Sequence, residues 1–529
     1  MGNRRAAELY ETGRTLRAAG RFGEAIAAYH AALELQPAFP EAANNLGNCL
    51  RIVWRLDDAE AAFRSALAAR PDFGEAWSNL GATLKNLGRA DEAVLCLEKA
   101  VEACPEDASL HSNLIFCRHY ASLDDPQKAQ MEERRWNEVH ARALRDKGPL
   151  VRRDPAPRRR LRVGFVSSGF REQAQSFFTI PLFESLDRTA FDLVAYSDLA
   201  PGDDVTERIR RACTEFRSVE NVSDADLAAR IAHDRIDILV DLTVHAARNR
   251  LPVFARRPAP VQVSWLGYPG STGMTSIDYR LTDPWIDPPG KTDERYAEQS
   301  WRLPNTFWCY DPLAERPAIS ELPSLATGQF TFGCLNNFSK TNAPTFARWS
   351  RVLEAVPDSR LVLLAPPGSA RQRALEALRV APIRVQFADF QPRERYLETY
   401  RAIDLGLDTF PYNGHTTALD SWWMGVPVIS RRGRTAVSRA GYSQANNLGL
   451  PEFAVDSDDA FVAAAIDWAE NRARLAALRA GLRERMSGSP LMDRSRFARA
   501  FEGACRAMWD HCSASWKPAV PAPAHGRRF

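Results

Sequence analysis

Small and apolar positions in the first 120 residues return with one long period. Gly13, Gly47 and Gly81 are 34 apart, as are Ala25, Ala59 and Ala93, and Ala32, Ala66 and Ala100. Pro37, Pro71 and Pro105 keep the same spacing and stop each second helix, because proline has no amide hydrogen to continue one. Four independent positions on one period predict helix–turn–helix units at 6–39, 40–73 and 74–107, with a degenerate further helix at 108–121. Gly47 and Ala59 are small enough to let paired helices approach, and Tyr29 and Phe63 are expected to fill space between units.

From 161 the pattern changes to short apolar runs that end in small polar residues and alternate with helical stretches. Runs at 161–168, 191–198, 236–242, 260–267 and 277–283 read as strands, with helices near 176–187, 203–212 and 223–233. A second series follows, with strands at 329–337, 359–365, 383–389, 405–410 and 426–431, and helices between them. This alternation predicts two open, mostly parallel sheets, each with helices on both faces, and a ligand crevice at the strands' C-terminal ends. The expected organisation is a repeat array at 1–121, a helical and then basic linker at 122–160, an N-terminal Rossmann-like lobe at 161–310, a linker at 311–328, and a C-terminal lobe with closing helices at 329–512. The Pro-rich end, 513–529, is expected to be disordered.

Composition narrows the class. Lys and Arg number 69 against 66 Asp and Glu, a net charge of +3, so charge alone argues for neither nucleic acid nor an anionic membrane. Mean hydropathy is -0.35, and no apolar run reaches the ~20 residues that span a bilayer. The first residues lack the apolar stretch of a secretory signal, which with nine scattered cysteines and no CxxC pair predicts a cytoplasmic protein with reduced thiols.

The chemistry lies after the strands of the second series. After Phe410 the chain reads Pro-Tyr-Asn-Gly, then His415, Thr416 and Thr417 open a helix. Free amides and two hydroxyls at a helix start form an anion site suited to a diphosphate. Asp420, one turn on, is placed to accept from a ribose hydroxyl. Asn336-Asn337-Phe338-Ser339-Lys340 follows another strand, where Lys340 can set an ammonium against the phosphates. Gln391 to Tyr396 follows a third, where Tyr396 can stack on a base. In the repeats, Asn45, Asn79 and Asn113 keep the 34-residue period, and a row of amides can hydrogen-bond an extended peptide without reading its sequence.

The repeats resemble the tetratricopeptide repeat. With the Gly-His-Thr-Thr motif, the Asn-Asn-x-x-Lys cluster and the stretches 162–170, 238–246 and 257–273, the chain resembles the protein O-linked N-acetylglucosamine transferase family, in particular its SPINDLY-like group. The resemblance covers roughly 6–512. It implies a GT-B architecture, UDP-N-acetylglucosamine as co-substrate with no cofactor and no metal, and inversion at the sugar carbon. The acceptor it implies is a Ser or Thr hydroxyl of a protein held by the repeat array. By position, Lys340, Asn337, His415, Thr416 and Thr417 correspond to the family's diphosphate contacts, Asp420 to its ribose-binding aspartate, and Arg393 and Tyr396 to its residues around uracil. Gly267, Tyr268, Pro269 and Gly270 correspond to a loop lining the sugar and acceptor site.

Two departures matter. Where the family has Asp-Phe-x-x-His-Pro, this chain has Gly169 and Gln173; Gln173 is assigned with the loop to the sugar and acceptor site, where a glutamine can orient a hydroxyl but cannot act as a general base. His245 is then the remaining imidazole after a first-lobe strand, and it is assigned with Lys340 as a catalytic candidate; a water chain or a phosphate oxygen are the other places for the proton. A different nucleotide-sugar donor, or a non-catalytic adaptor that binds nucleotide and peptide, stay open beside the transferase. No nucleic acid partner and no membrane span are expected.

Overall fold

The computed structural model describes residues 2–121, 126–145, 159–199, 201–313 and 317–514. Arg152, Arg153, Arg158 and the tail from 515 lie outside the described residues.

Helix pairs Gly2–Ala18 with Phe22–Leu35, Pro40–Ile52 with Leu56–Ala69, and Gly74–Asn86 with Ala90–Ala103 build the array, followed by Ala108–Arg118. The glycine ladder explains their closeness. A Cβ at Gly13, Gly47 or Gly81 would stand 2.6, 2.6 or 2.8 Å from the side chain of Tyr29, Phe63 or Leu97. Tyr29 and Phe63 therefore fill space inside their own units, against the facing helix, rather than between units as the sequence suggested. The turn between paired helices needs a left-handed residue, and Gly20, Trp54 and Gly88 take it at φ 73°, 60° and 74°. The second unit thus puts a tryptophan where its neighbours have glycine.

Each lobe is a parallel sheet. The first holds β1 (Leu161–Ser167), β2 (Phe191–Ser197), β3 (Glu215–Ser218), β4 (Ile238–Asp241), β5 (Val261–Ser264), β6 (Tyr279–Thr282) and β7 (Gln299–Arg302), in the order β3-β2-β1-β4-β5-β6-β7. The second holds β8 (Thr331–Cys334), β9 (Arg360–Leu364), β10 (Val385–Ala388), β11 (Leu405–Leu407), β12 (Val428–Arg431) and β13 (Ala454–Val455), in the order β10-β9-β8-β11-β12-β13. Central strands such as β1 and β4 are almost wholly buried, as the apolar runs required.

The last helix, Arg494–Ala514, does not stay with the second lobe, where the sequence reading placed it. It packs on the first: Phe501 lies 6.0 Å from Phe165 and 6.2 Å from Trp265, and Arg506 donates to the carbonyls of Arg159 and Ala190 at 2.7 and 2.9 Å. Its apolar stripe carries no sign of which sheet it covers, so this crossing was not readable from sequence.

The array touches both lobes. Ser112 Oγ meets His245 of the first lobe at 3.0 Å. On the second lobe, Ser369 donates through its amide and hydroxyl to Asp57 at 2.8 and 2.5 Å, and Arg373 donates to the Leu87 carbonyl at 2.8 Å. The repeats are thereby held over the mouth between the lobes.

Candidate active site

Asp408 directly follows β11, and this buried carboxylate organises the turn. Its Oδ1 accepts from the amides of Thr409 (2.8 Å) and Gly414 (2.7 Å) and from Asn336 Nδ2 (3.0 Å), while Oδ2 accepts from Ser430 (2.6 Å). Burial pushes its pKa up, and these donors and Lys340 oppose that. Gly414 is required here, because a Cβ would sit 2.8 Å from Asn336 Oδ1. Gln444 supports the turn from below, donating to the His415 carbonyl at 3.0 Å. Thr416 and Thr417 then open the helix Thr416–Trp423, both half-buried, with no side-chain cap at His415 to occupy the first amides.

Lys340 comes to the same turn from the end of β8. Its Nζ donates to the Asn413 carbonyl at 2.7 Å and lies 4.3 Å from the centre of the Tyr412 ring. Burial lowers its pKa to about 8, with Asp408 pulling the other way. The imidazole of His415 is also beside it, 5.1 Å from the Tyr412 ring and 5.5 Å from that of Trp308. Burial holds it well below the usual histidine range, with Lys340 adding to the effect. Its Nε2 is buried without a hydrogen-bond partner among the described residues. The structure thus brings Lys340, His415, Thr416 and Thr417 together.

Asn337 is not among them. It is exposed, and its Oδ1 accepts from the amide and hydroxyl of Ser339 at 3.0 and 2.9 Å. Asn336, one residue earlier, is the one under the turn.

Asp420 is buried in a cluster that joins the lobes. Arg393 donates to both its oxygens, at 2.6 and 3.1 Å, Tyr396 donates at 3.1 Å and Tyr310 at 2.5 Å. Arg393 also lies 4.1 Å from the centre of the Phe177 ring in the first lobe. Tyr396 thus points its hydroxyl at the cluster, with its ring edge-on to Tyr400 at 5.5 Å. Tyr310 and Phe177 were missed by sequence reading. They belong to the irregular segment after β7 and to the first-lobe helix Ser176–Ser185, and nothing local marks them as partners of Asp420.

In the first lobe, Gly267 passes so close to the next strand end that a Cβ would meet the Thr243 carbonyl at 2.4 Å. Tyr268 is buried under the array, 4.7 Å from His119 and 5.4 Å from Phe116. The carbonyls of Pro269 and Gly270 are both held by Arg280 at 3.2 Å. Pro269 and Gly270 line a pocket of ≈ 620 Å³, open to solvent, with His119, Glu133, Pro411 and Val437. This pocket is where the array, the first lobe and the second lobe meet. Gln173 is half-buried beside Gln175, and a Cβ on Gly169 would collide with both at 2.0 Å. The glycine at the departure from the family pattern therefore makes room for the glutamines.

His245 is corrected by the structure. It is 0% exposed, Nε2 donates to the Thr272 carbonyl at 2.9 Å, and Nδ1 accepts from Ser112 at 3.0 Å. Trp136 covers it edge-on at 5.3 Å, and burial lowers its pKa to about 3. Both ring nitrogens are used and no face is open, so His245 fastens the array to the lobe and is not a base in the crevice. Asp241 caps the same turn through the amides of Thr243 and Val244.

The asparagine ladder also has a structural use. Nδ2 of Asn45 donates to Tyr10, of Asn79 to Asn44 and of Asn113 to Ser78, at 3.2, 3.0 and 3.1 Å, each to the preceding unit. Among the described residues no group of three or more His, Cys, Asp or Glu side chains forms a metal-holding cluster, and no helix is long and apolar enough to cross a membrane.

The model of glycosyl transferase family 41 matches residues 149–321 and 320–501, and tetratricopeptide models match 13–50 and 55–114. A tomato (Solanum lycopersicum) protein described as a probable UDP-N-acetylglucosamine–peptide N-acetylglucosaminyltransferase SPINDLY is 37% identical over 364 residues, 67% of this chain. The UDP-N-acetylglucosamine–peptide N-acetylglucosaminyltransferase of Caenorhabditis elegans is 24% identical over 496 residues, 71% of this chain. The matches span 39% and 43% of those two proteins' own lengths. A solved mutant of the Thermobaculum terrenum O-GlcNAc transferase superposes with a TM-score of 0.89 at 32% identity, covering 97% of this chain and 99% of that one. On the extent of the family match and the two parallel-sheet lobes behind a repeat array, the chain belongs to glycosyl transferase family 41.

Proposed function

We propose that this protein transfers N-acetylglucosamine from UDP-N-acetylglucosamine to Ser or Thr hydroxyls of proteins, with inversion at the sugar carbon and no metal ion. The single observation that carries the reading is the meeting of Lys340 with the turn before Thr416 and Thr417. An ammonium, two hydroxyls and the open amides of a helix start converge there, which is the charge and geometry a departing nucleoside diphosphate needs. These groups are fixed before any substrate arrives, so they stabilise the developing negative charge without reorganising. In this reading His415 adds a hydrogen bond from an otherwise unpartnered ring nitrogen, and the Asp420 cluster opens to receive the ribose.

The acceptor enters from the repeat array through the pocket beside Pro269 and Gly270. His119 faces this pocket, and its Nε2 has no hydrogen-bond partner among the described residues. Burial lowers its pKa to about 4, so at neutral pH it is an uncharged acceptor of low basicity. It is suited to orienting the acceptor hydroxyl. The proton itself goes to a phosphate oxygen of the donor as the hydroxyl attacks the anomeric carbon and UDP leaves from the opposite face.

The test is intact-mass analysis of candidate acceptor proteins after incubation with UDP-N-acetylglucosamine, with UDP-glucose and GDP-fucose in parallel. One added N-acetylhexosamine supports the reading. Transfer only from another donor changes the substrate, and release of no nucleotide from any donor leaves an adaptor.

A further inference from the structure

A second cavity, of ≈ 1030 Å³ and open to solvent, lies beside the acceptor pocket at the junction of the two lobes. Five of its lining residues are cationic, Lys291, Arg295, Arg432, Arg434 and Arg439, and no carboxylate lines it. The whole chain is nearly neutral, so this is a local concentration of charge. The cations are held in place. Arg432 and Arg439 both lie against Tyr442, 4.5 and 5.2 Å from its ring centre, and Trp285 meets that ring edge-on at 5.7 Å. Arg439 spends its donors on the carbonyls of Trp285 and Gly433, and Arg295 on that of Arg434, so neither is neutralised by those bonds. Of these three, Arg432 pairs with a carboxylate, Asp456 at 2.7 Å. Lys291 is exposed and forms no ion pair among the described residues.

Position assigns this surface to the acceptor rather than the donor. Arg295 lines both this cavity and the acceptor pocket. The segment carrying Arg432, Arg434 and Arg439 continues through Val437, which lines the acceptor pocket and whose carbonyl accepts from the Asn413 amide at 3.1 Å. A polypeptide leaving the acceptor pocket on this side therefore runs over five cations.

We propose that this basic cavity is a docking subsite for an acidic segment of the acceptor polypeptide. The proposal rests on the transferase reading and names the acceptor chemistry it favours. A polypeptide is preferred to a lipid surface because the cavity is concave and none of the chain's exposed large apolar side chains lines it. Against a nucleic acid, the Tyr442 ring already carries two guanidinium groups, so that ring is not a free platform for a base.

The experiment compares two fluorescent peptides that share one Ser/Thr core, with a block of glutamates or of glutamines on one side. Binding is read by anisotropy on the full chain, at low and at raised salt. Transfer to each peptide and donor hydrolysis are measured separately, so a failure of the transferase reading shows in the second set and leaves the first readable. The wild type is expected to bind the glutamate peptide about tenfold or more tightly at low salt, with the advantage shrinking as salt rises. The double variant Lys291→Glu with Arg434→Glu is expected to lose most of that advantage while binding the glutamine peptide as before. Neither residue belongs to the donor clamp. Equal binding of the two peptides by the wild type overturns the proposal, as does an advantage that survives the double variant. Capture of phosphatidylserine vesicles that the double variant abolishes, with no peptide preference, also overturns it in favour of a lipid surface.

Discussion

Lys340 donates its ammonium to the Asn413 carbonyl at 2.7 Å, joining the end of β8 to the turn after β11. The cation is thereby aimed at the open end of the helix Thr416–Trp423 before any anion binds. A lysine so placed must remain charged to act, and burial has brought its pKa down to about 8.

That value sets a pH dependence for binding. Lys340 is cationic below about pH 8 and loses its charge as pH rises through it. Affinity for UDP is expected to be flat from about pH 6.5 to pH 7.5 and to fall above it, by up to about tenfold per unit. Lys340→Arg keeps its charge and flattens the profile. Calorimetric titration of both proteins across this range checks the sign, and a wild-type profile as flat as the arginine variant's removes Lys340 as the titrating group.

Arg393 and Asp420 form a buried pair, with their side chains 12% and 3% exposed. Arg393→Ala leaves the buried carboxylate with two tyrosine hydroxyls but no cation, and is expected to cost about 3 kcal/mol of stability. Adding Asp420→Asn is expected to return a good part of that loss. Urea unfolding of the single and double variants measures it, and an additive result shows the two residues to be uncoupled.

His245→Ala separates fastening from catalysis. Loss of its bonds to Ser112 and Thr272 is expected to destabilise the array–lobe contact by about 1–3 kcal/mol. Transfer per folded molecule is expected to stay within about tenfold of wild type, whereas loss of a general base costs ~10²-fold or more. Activity normalised to the folded fraction decides between them.

Trp54 holds the left-handed turn position at φ 60° and stacks on Phe390 at 5.3 Å. Trp54→Gly and Trp54→Ala lose the same stack, but only glycine relieves the backbone. The glycine variant is expected to be more stable than the alanine variant by about 1 kcal/mol in thermal or urea unfolding. Equal stability of the two would show that the turn relaxes.

Part of this is legible in the sequence. The 34-residue ladder and the apolar runs are periodic or contiguous signals, and both became helix pairs and central strands. The edge strands β3 and β7 were not found, because EFRS and QSWR are short, polar and half-exposed. Lys340 and Thr416 stood out because each follows a strand in a motif. Asp408 did not, although an acid closing a buried strand before a glycine turn was a usable sign. The partners Tyr310 for Asp420 and Ser112 for His245 lie 110 and 133 residues away, and no local pattern encodes such contacts.

The central claim is that Lys340 and the helix start at Thr416 together hold a diphosphate. Its most direct test is calorimetry of UDP and of uridine against the wild type and Lys340→Ala. UDP affinity is expected to fall by roughly 10–100-fold, as for loss of a charge-assisted bond, with uridine affinity unchanged. UDP affinity that survives the substitution, or a uridine affinity that falls with it, would contradict the account.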